Sequence, residues 1–270
     1  MEVAAHGRQA TSEAARPSAT APVSVVVITK DELQHIERCL KSVQWTSEIL
    51  VIDARSVDGT PTLAEKLGAR VITRDWPGYA QQKNYGIGQA TEPWILNLDA
   101  DEEVSPQLAE QIAEVVGSVN ASTGYRLQRI TYFLGQPLHH YGRARRDPGQ
   151  LRLFRQGHGR FVDRVVHERL EVDGSVGSLP APLLHHCYPT FGTYWQKIHR
   201  YAKLEAQDRA VHGKSKGVPI LRAVGKLGWM LVFRRGLLHG PKAWLWIAGQ
   251  SYQEWLTTRQ ARALALAANG

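Results

Sequence analysis

Trp94-Ile95-Leu96-Asn97-Leu98-Asp99-Ala100-Asp101-Glu102-Glu103 decides how the rest of the chain is read. The stretch enters as an apolar run behind Pro93 and leaves in four acids within five positions. Side chains alternate along an extended segment, so Asp99 and Asp101 are expected on one side, with small Ala100 leaving the rim uncrowded. Two carboxylates at the mouth of a buried strand suit a hard divalent cation, which takes oxygen ligands. Taken alone, the same acids read more readily as solvated turn residues. The surroundings decide between the two.

Upstream, Pro22 to Thr29 is a nearly continuous β-branched run, as in a strand covered on both faces. Leu33, Ile36, Leu40 and Val43 follow at helical spacing. Ile49 to Ile52 is a second strand ending at Asp53. Thr60-Pro61 opens a helix, with Thr60 as N-cap, and Gly68 closes it. Val71 to Thr73 is a short third strand. Tyr79 to Ala90 reads as a helix weakened by Gly86 and Gly88, and Ser105-Pro106 starts another that runs to Val116. Strand and helix therefore alternate through residue 117, the pattern of a parallel, doubly wound α/β half. Ligands of such sheets sit beyond the carboxyl ends of the strands. Asp31-Glu32, Asp53 and Asp99/Asp101 all fall there, which favours a binding rim over scattered turn acids.

Beyond Gly117 the period changes. Tyr125 to Ile130, Leu151 to Arg155 and Val165 to Val172 alternate, as short half-exposed strands do. From Phe191 the chain is helical: Tyr194, Ile198, Tyr201 and Leu204 form one apolar stripe, and Pro219 to Phe233 and Pro241 to Leu266 are further helices. The expected organisation is a disordered leader over 1–22, a main domain over 23–190 with halves 23–117 and 118–190, and a basic helical extension over 191–270. The leader lacks the apolar centre of a secretory signal. No run of 18 apolar residues occurs in the 270, so no transmembrane helix is expected. Two distant cysteines, Cys39 and Cys187, argue against a disulfide framework and fit a cytoplasmic setting.

The formal charge of +8 is unevenly placed. From Trp195 onward there are 13 Lys or Arg against 3 Asp or Glu, while the preceding residues balance at −2. Trp and Leu interleaved with Lys and Arg between Leu227 and Trp255 suit an anionic membrane surface, on the inner face of the cytoplasmic membrane, as well as a helix packed on the main domain. No helix-turn-helix, zinc or RNA-binding signature supports nucleic acid as a partner.

The motif order is Thr29-Lys30-Asp31-Glu32, then Asp53-Ala54-Arg55-Ser56-Val57-Asp58-Gly59-Thr60, then Gln82-Lys83-Asn84, then Asp99-Ala100-Asp101. This order resembles the inverting family 2 glycosyltransferases, most of all the lipopolysaccharide-core β-glucosyltransferase branch. Val166-His167-Glu168 and the His185 to Tyr201 segment extend the resemblance, which covers roughly residues 23 to 205. Asp31 stands where Asn is common, and Ala54 and Arg55 replace small polar residues.

The resemblance implies the GT-A fold: a Rossmann-like, mixed and largely parallel sheet flanked by helices, with the helical extension behind it. It implies transfer of a sugar, with UDP-glucose as donor, to a lipid-linked or lipopolysaccharide-core glycan or glycolipid acceptor. It also implies Mg2+ or Mn2+ at the donor diphosphate, with Asp101 as direct ligand, Asp99 on the ribose or on the metal through water, and His185 as a further ligand or phosphate contact. Thr29, Glu32 and Asp53 are expected to line the nucleotide pocket, and Lys83 to face the diphosphate. Inversion needs one base for the acceptor hydroxyl; Glu168 is the first candidate and Asp163 the second. Glu168 reads alternatively as a cross-strand partner of Arg152 or Arg155. A sugar nucleotidyltransferase is disfavoured because Thr29 to Glu32 contains no glycine. A membrane- or nucleic-acid-binding protein with a degenerate transferase domain fits less well while Asp53, Asp99 and Asp101 are all present.

Overall fold

The structure is a computed structural model that describes residues 20–138, 149–162, 169–213, 217–233 and 235–267. The first half runs β1 (Ala21–Thr29), α1 (Leu33–Lys41), β2 (Thr46–Asp53), α2 (Thr60–Lys66), β3 (Arg70–Thr73), α3 (Tyr79–Gln89), β4 (Trp94–Asp99), β5 (Glu102–Val104) and α4 (Pro106–Val116). It continues with β6 (Gly124–Phe133), β7 (Gln136–Pro137), β8 (Gln150–Arg155), β9 (Gly159–Val162), β10 (Arg169–Val172) and β11 (Val176–Tyr188). The extension holds α5 (Phe191–Val211), α6 (Pro219–Gly228) and α7 (Gly240–Ala267), with a π turn at Trp229–Phe233 and a 3-10 turn at Gly236–His239.

The main sheet has the order β3-β2-β1-β4-β8-β6-β11-β5, with β7 beside β6. β3, β2, β1 and β4 are mutually parallel. β8 is antiparallel to both β4 and β6, β11 is parallel to β6, and β5 is antiparallel to β11. The expected mixed, largely parallel sheet with flanking helices and a helical extension is therefore the fold. β10 and β9 form a separate two-stranded ribbon.

The β-branched runs sit centrally because they offer apolar groups to both faces. Val23, Val25 and Val27 of β1 enter the core with Val51, Leu96 and Leu98. Val26 and Ile28 enter the opposite core with Leu50, Ile52 and Ile95. This is the period-two alternation of a strand covered twice. The glycine that weakens α3 by propensity has a packing reason: a Cβ on Gly86 would stand 2.5 Å from Val26 Cγ1 and 2.9 Å from Ile52 Cγ1. Gly88 has nothing within 4 Å. Gly86→Ala is expected to cost about 1–3 kcal/mol by overpacking, whereas Gly88→Ala should be neutral or mildly stabilising through helix propensity. Urea unfolding of the two variants measures the difference, and equal midpoints would refute the close contact.

Three expectations shift. Residues 21 and 22 leave the leader, because Ala21 N donates to Trp45 O at 2.9 Å and starts β1. The N-cap of α2 is Gly59, at a left-handed φ of 95°, rather than Thr60, which is the first helical residue and whose N–H donates to Asp58 Oδ1 at 3.0 Å. The buried stripe of α5 is Tyr194, Ile198, Ala202 and Ala206, since the small alanines allow α7 to approach, and Leu204 is exposed. Cys39 and Cys187 are free and buried. No helix among the described residues is long and apolar enough to cross a membrane.

Candidate active site

The loops after β1 and β2 are tied to each other at the carboxyl rim. Asp53, fully buried, accepts from Thr29 Oγ1 at 2.9 Å, from Ser56 N at 2.8 Å and from Ser56 Oγ at 2.6 Å. Asp31 N donates to Ser56 Oγ at 2.8 Å, and Asp31 Oδ1 accepts from Val57 N at 2.9 Å. Lys30 Nζ donates to the Arg55 carbonyl at 2.7 Å. Asp31 and Arg55 both adopt left-handed φ, 54° and 56°, which uncommonly suits a non-glycine residue and here lets the two loops interlock. Thr29 and Asp53 thus tie the two loops together at the rim. Both side chains are buried, and the Asp53 carboxylate already holds three donors.

At the end of β4 the two aspartates part. β4 ends at Asp99, and Ala100-Asp101 turns, so strand alternation no longer relates the pair. Asp99 continues the Ile95–Asn97 face toward α3 and receives Lys83 Nζ at 2.9 Å on Oδ1. Its Oδ2 accepts from Arg152 Nη2 at 2.6 Å. The same Nη2 reaches Glu102 Oε1 at 2.7 Å, and Arg152 Nη1 reaches Asn97 Oδ1 at 3.3 Å. Lys83, Arg152 and Glu102 are buried, so two acids and two cations neutralise each other where dielectric screening is weak. Burial would raise the Asp99 carboxyl, but the Arg152 and Lys83 charges hold it well below the usual carboxylate range. Arg152 is pushed up, since the two acids outweigh its burial. Its Nε has no hydrogen-bond partner among the described residues.

Asp101 faces the other way, toward β11 and α5. Its Oδ1 lies 3.5 Å from His185 Nε2, and its Oδ2 lies 3.5 Å from Lys197 Nζ. His185 sits opposite Glu102 and Thr131 in the sheet, which fixes its position as a strand residue rather than a loop one. Burial would lower its pKa, but the Asp101 charge raises it to about 10. Lys197 also donates to the Cys187 carbonyl at 3.0 Å. Glu32 stands within electrostatic reach: burial first and the Asp101 charge second push its carboxyl up to about 7. His186 Nε2 meets Glu103 Oε2 at 2.7 Å, and its ring lies 4.6 Å from that of Tyr132.

The fold therefore brings Glu32, Asp101, His185 and Lys197 together on one rim. Asp99 and Lys83 form an ion pair beside them, so Lys83 is neither a solvated lysine nor directed at an open anion site. Among the described residues no group of three or more His, Cys, Asp or Glu is arranged to hold a metal ion. Glu168 and Asp163 lie in 163–168, outside the described residues. Arg152 and Lys197 are the functional residues that sequence reasoning missed in these roles. Arg152 carried no distinguishing signal, since it alternates with Leu151 and Leu153 as a half-exposed strand residue would, and Lys197 carried none, since lysine on a helix is ordinary. Arg155, by contrast, lies over the Trp94 ring at 4.6 Å.

Residues 24–170 match the family described as glycosyl transferase family 2. The lipopolysaccharide core biosynthesis glycosyltransferase LpsC of Rhizobium meliloti is 30% identical over 203 residues, covering 72% of this chain and 73% of that protein. An uncharacterized glycosyltransferase of Rickettsia conorii is 40% identical over 104 residues, 38% of this chain and 37% of its own length, so the chain spans little more than a third of that relative. Among solved structures, the mannosyltransferase PcManGT of Pyrobaculum calidifontis, in complex with GDP-Man and Mn2+, is 16% identical, with 94% of this chain and 77% of that chain covered and a TM-score of 0.49.

Proposed function

The chain belongs to glycosyl transferase family 2, and from that premise we propose that it is an inverting hexosyltransferase that moves glucose from UDP-glucose to a lipid-linked or lipopolysaccharide-core glycan at the inner face of the cytoplasmic membrane. The observation that carries the reading is the rim at Asp101, where a carboxylate, an imidazole and an ammonium converge beside the interlocked loops after β1 and β2. The likeness to LpsC supports the acceptor class.

The residues fit a hard divalent cation in part. Mg2+ commonly takes one or two carboxylates and leaves its other positions to phosphate oxygens and water. Asp101 and His185 are the two side chains for it. Asp99 does not fit as a direct ligand, because Lys83 and Arg152 occupy both its oxygens. Its side chain is still 35% exposed, which leaves it open to a ribose hydroxyl. When bound, Mg2+ or Mn2+ offsets the charge that develops on the leaving diphosphate.

Lys197 lies 3.5 Å from Asp101 and is held by the Cys187 carbonyl at 3.0 Å, which keeps its ammonium at the rim where a donor phosphate would sit. Glu32 closes the same rim. The Asp99–Lys83–Arg152–Glu102 cluster fixes the end of β4 so that Asp101 is presented rather than mobile. Glu168 takes the proton of the acceptor hydroxyl, with Asp163 as the second candidate.

Incubation with a panel of nucleotide sugars, reading nucleoside diphosphate release, tests the donor. Release from UDP-glucose in the presence of Mg2+ or Mn2+ is the expected outcome, and release from a different donor alone would overturn the glucose assignment. Glu168→Gln should lower kcat by about 10²–10⁴-fold, the range for a general base, with donor affinity kept. Turnover at the parent level would move the role to Asp163.

A further inference from the structure

The extension carries large apolar side chains turned to solvent in one neighbourhood. Val232, Phe233, Leu237 and Leu238 are 61%, 79%, 57% and 77% exposed. Leu221 and Val224 of α6 are 67% and 57% exposed. The π turn packs on α6, the 3-10 turn packs on the π turn and on α7, and so these residues belong to one region of the surface. Between them, Arg235 takes a left-handed φ of 52°, and its N–H donates to the Val232 carbonyl at 3.0 Å while its carbonyl accepts from Leu238 N at 3.1 Å. That turn lies between Val232–Phe233 and Leu237–Leu238. An apolar groove of about 410 Å³ between α6 and α7 adjoins it, lined by Ile220, Leu227, Tyr252 and Trp255 among others.

Exposed apolar residues of this number in a short span mark an interaction surface rather than ordinary surface composition. Charge identifies the partner. Residues 213–245 contain seven Lys or Arg and no Asp or Glu. Glu254, an acid beneath the face, is closed by Arg209 at 2.8 Å and Arg222 at 2.9 Å. A second copy of this chain would bring the same cations against themselves, which like-charge repulsion opposes. An anionic bilayer offers both what the apolar side chains and what the basic residues require.

We propose that the bend at Val232–Leu238, with the adjoining face of α6, docks the protein on an anionic lipid bilayer by inserting Phe233 and Leu238 below the headgroups. The orientation suits the acceptor. Met230 and Ala243 share a buried cluster with Phe133 and Leu138 of the acceptor half, and Lys242 Nζ donates to the Leu134 carbonyl at 2.8 Å. Tyr132, on the same stretch of β6, lies against His186 at the candidate site. The docked face is thus joined through β6 to the rim where a lipid-linked sugar has to arrive. The use of docking rests on the proposed acceptor; docking itself is tested without donor or acceptor, so the two fail separately.

The test is co-sedimentation of the full chain with vesicles of phosphatidylglycerol and phosphatidylethanolamine, compared with phosphatidylcholine alone. Binding to the anionic vesicles is expected, and Phe233→Asp with Leu238→Asp should weaken it at least about tenfold, since charges replace inserted apolar groups. Arg235→Glu should weaken it less and flatten its salt dependence. If the double variant loses its thermal transition, Phe233→Ser alone, together with quenching of Trp229 by brominated phosphatidylglycerol against a Trp229→Phe blank, gives the same decision. Equal sedimentation of parent and variants, or absent quenching, would overturn the proposal. So would a parent that light scattering shows to be a dimer, that the double variant splits, and that ignores vesicles.

Discussion

Asp101→Asn is expected to lower sugar transfer by at least ~10³-fold while leaving the protein folded, because in the proposed reading several kcal/mol of leaving-group stabilisation would depend on a metal held by this carboxylate. The side chain is 15% exposed and meets His185 and Lys197 at 3.5 Å each, so it is held without being closed off. Asparagine keeps the shape and removes the charge. His185 then loses the neighbouring charge that most raises its pKa, so its titration moves downward. Chelation should bring the parent to the level of the variant and should not lower the variant further, because both treatments remove the same interaction. Calorimetric titration with UDP supplies a readout independent of turnover: cation-dependent binding in the parent, cation-independent and weaker binding in the variant. Equal, chelator-insensitive binding in both proteins would sink the metal assignment while leaving family membership untouched.

Arg152→Met should give the largest loss of stability, about 3–5 kcal/mol, the cost of removing one partner from a buried ionic network. Arg152 is 5% exposed and serves Asp99, Glu102 and Asn97 at once. Without it, Glu102 keeps Arg129 only at 3.7 Å, and Asp99 keeps only Lys83 of the two cations that hold it here. A fold of ordinary stability has about 5–15 kcal/mol in total, so the variant approaches the threshold for folding. Adding Glu102→Gln should recover part of the loss, since the buried negative charge left behind is then gone. Arg155→Met is the control: its half-buried guanidinium lies over the ring of the buried Trp94 without belonging to the ionic cluster, and the expected cost is about 0.5–1 kcal/mol. Urea unfolding measures all four proteins. An Arg152→Met midpoint equal to that of the parent would show that the cluster is not held as described.

The α/β half was legible because its signals are local. Val25, Val26 and Val27 announce a strand covered twice, and Ser105-Pro106 announces a helix start, with Ser105 Oγ accepting from Leu108 N at 3.2 Å. The rim position of Asp31, Asp53, Asp99 and Asp101 followed from strand ends alone. Their individual roles did not. Period-two reasoning put Asp99 and Asp101 on one side, but it applies only while the strand lasts, and β4 stops at Asp99. β5 was missed because Glu102 and Glu103 look like turn residues. They are strand residues only by pairing with β11, some 80 positions later, at Glu103↔Leu184 and Glu102↔His185.

The sequence by itself determined the α/β half, the acidic rim and the basic, tryptophan-rich extension, since each is written in neighbouring residues. Tertiary structure alone decided which cation each acid meets. Asp99 joins Arg152 across 53 positions, and Asp101 joins Lys197 across 96. Charges act through space and carry no period along the chain, so two aspartates separated by one alanine were free to take different places: one held between two buried cations, the other left at the rim.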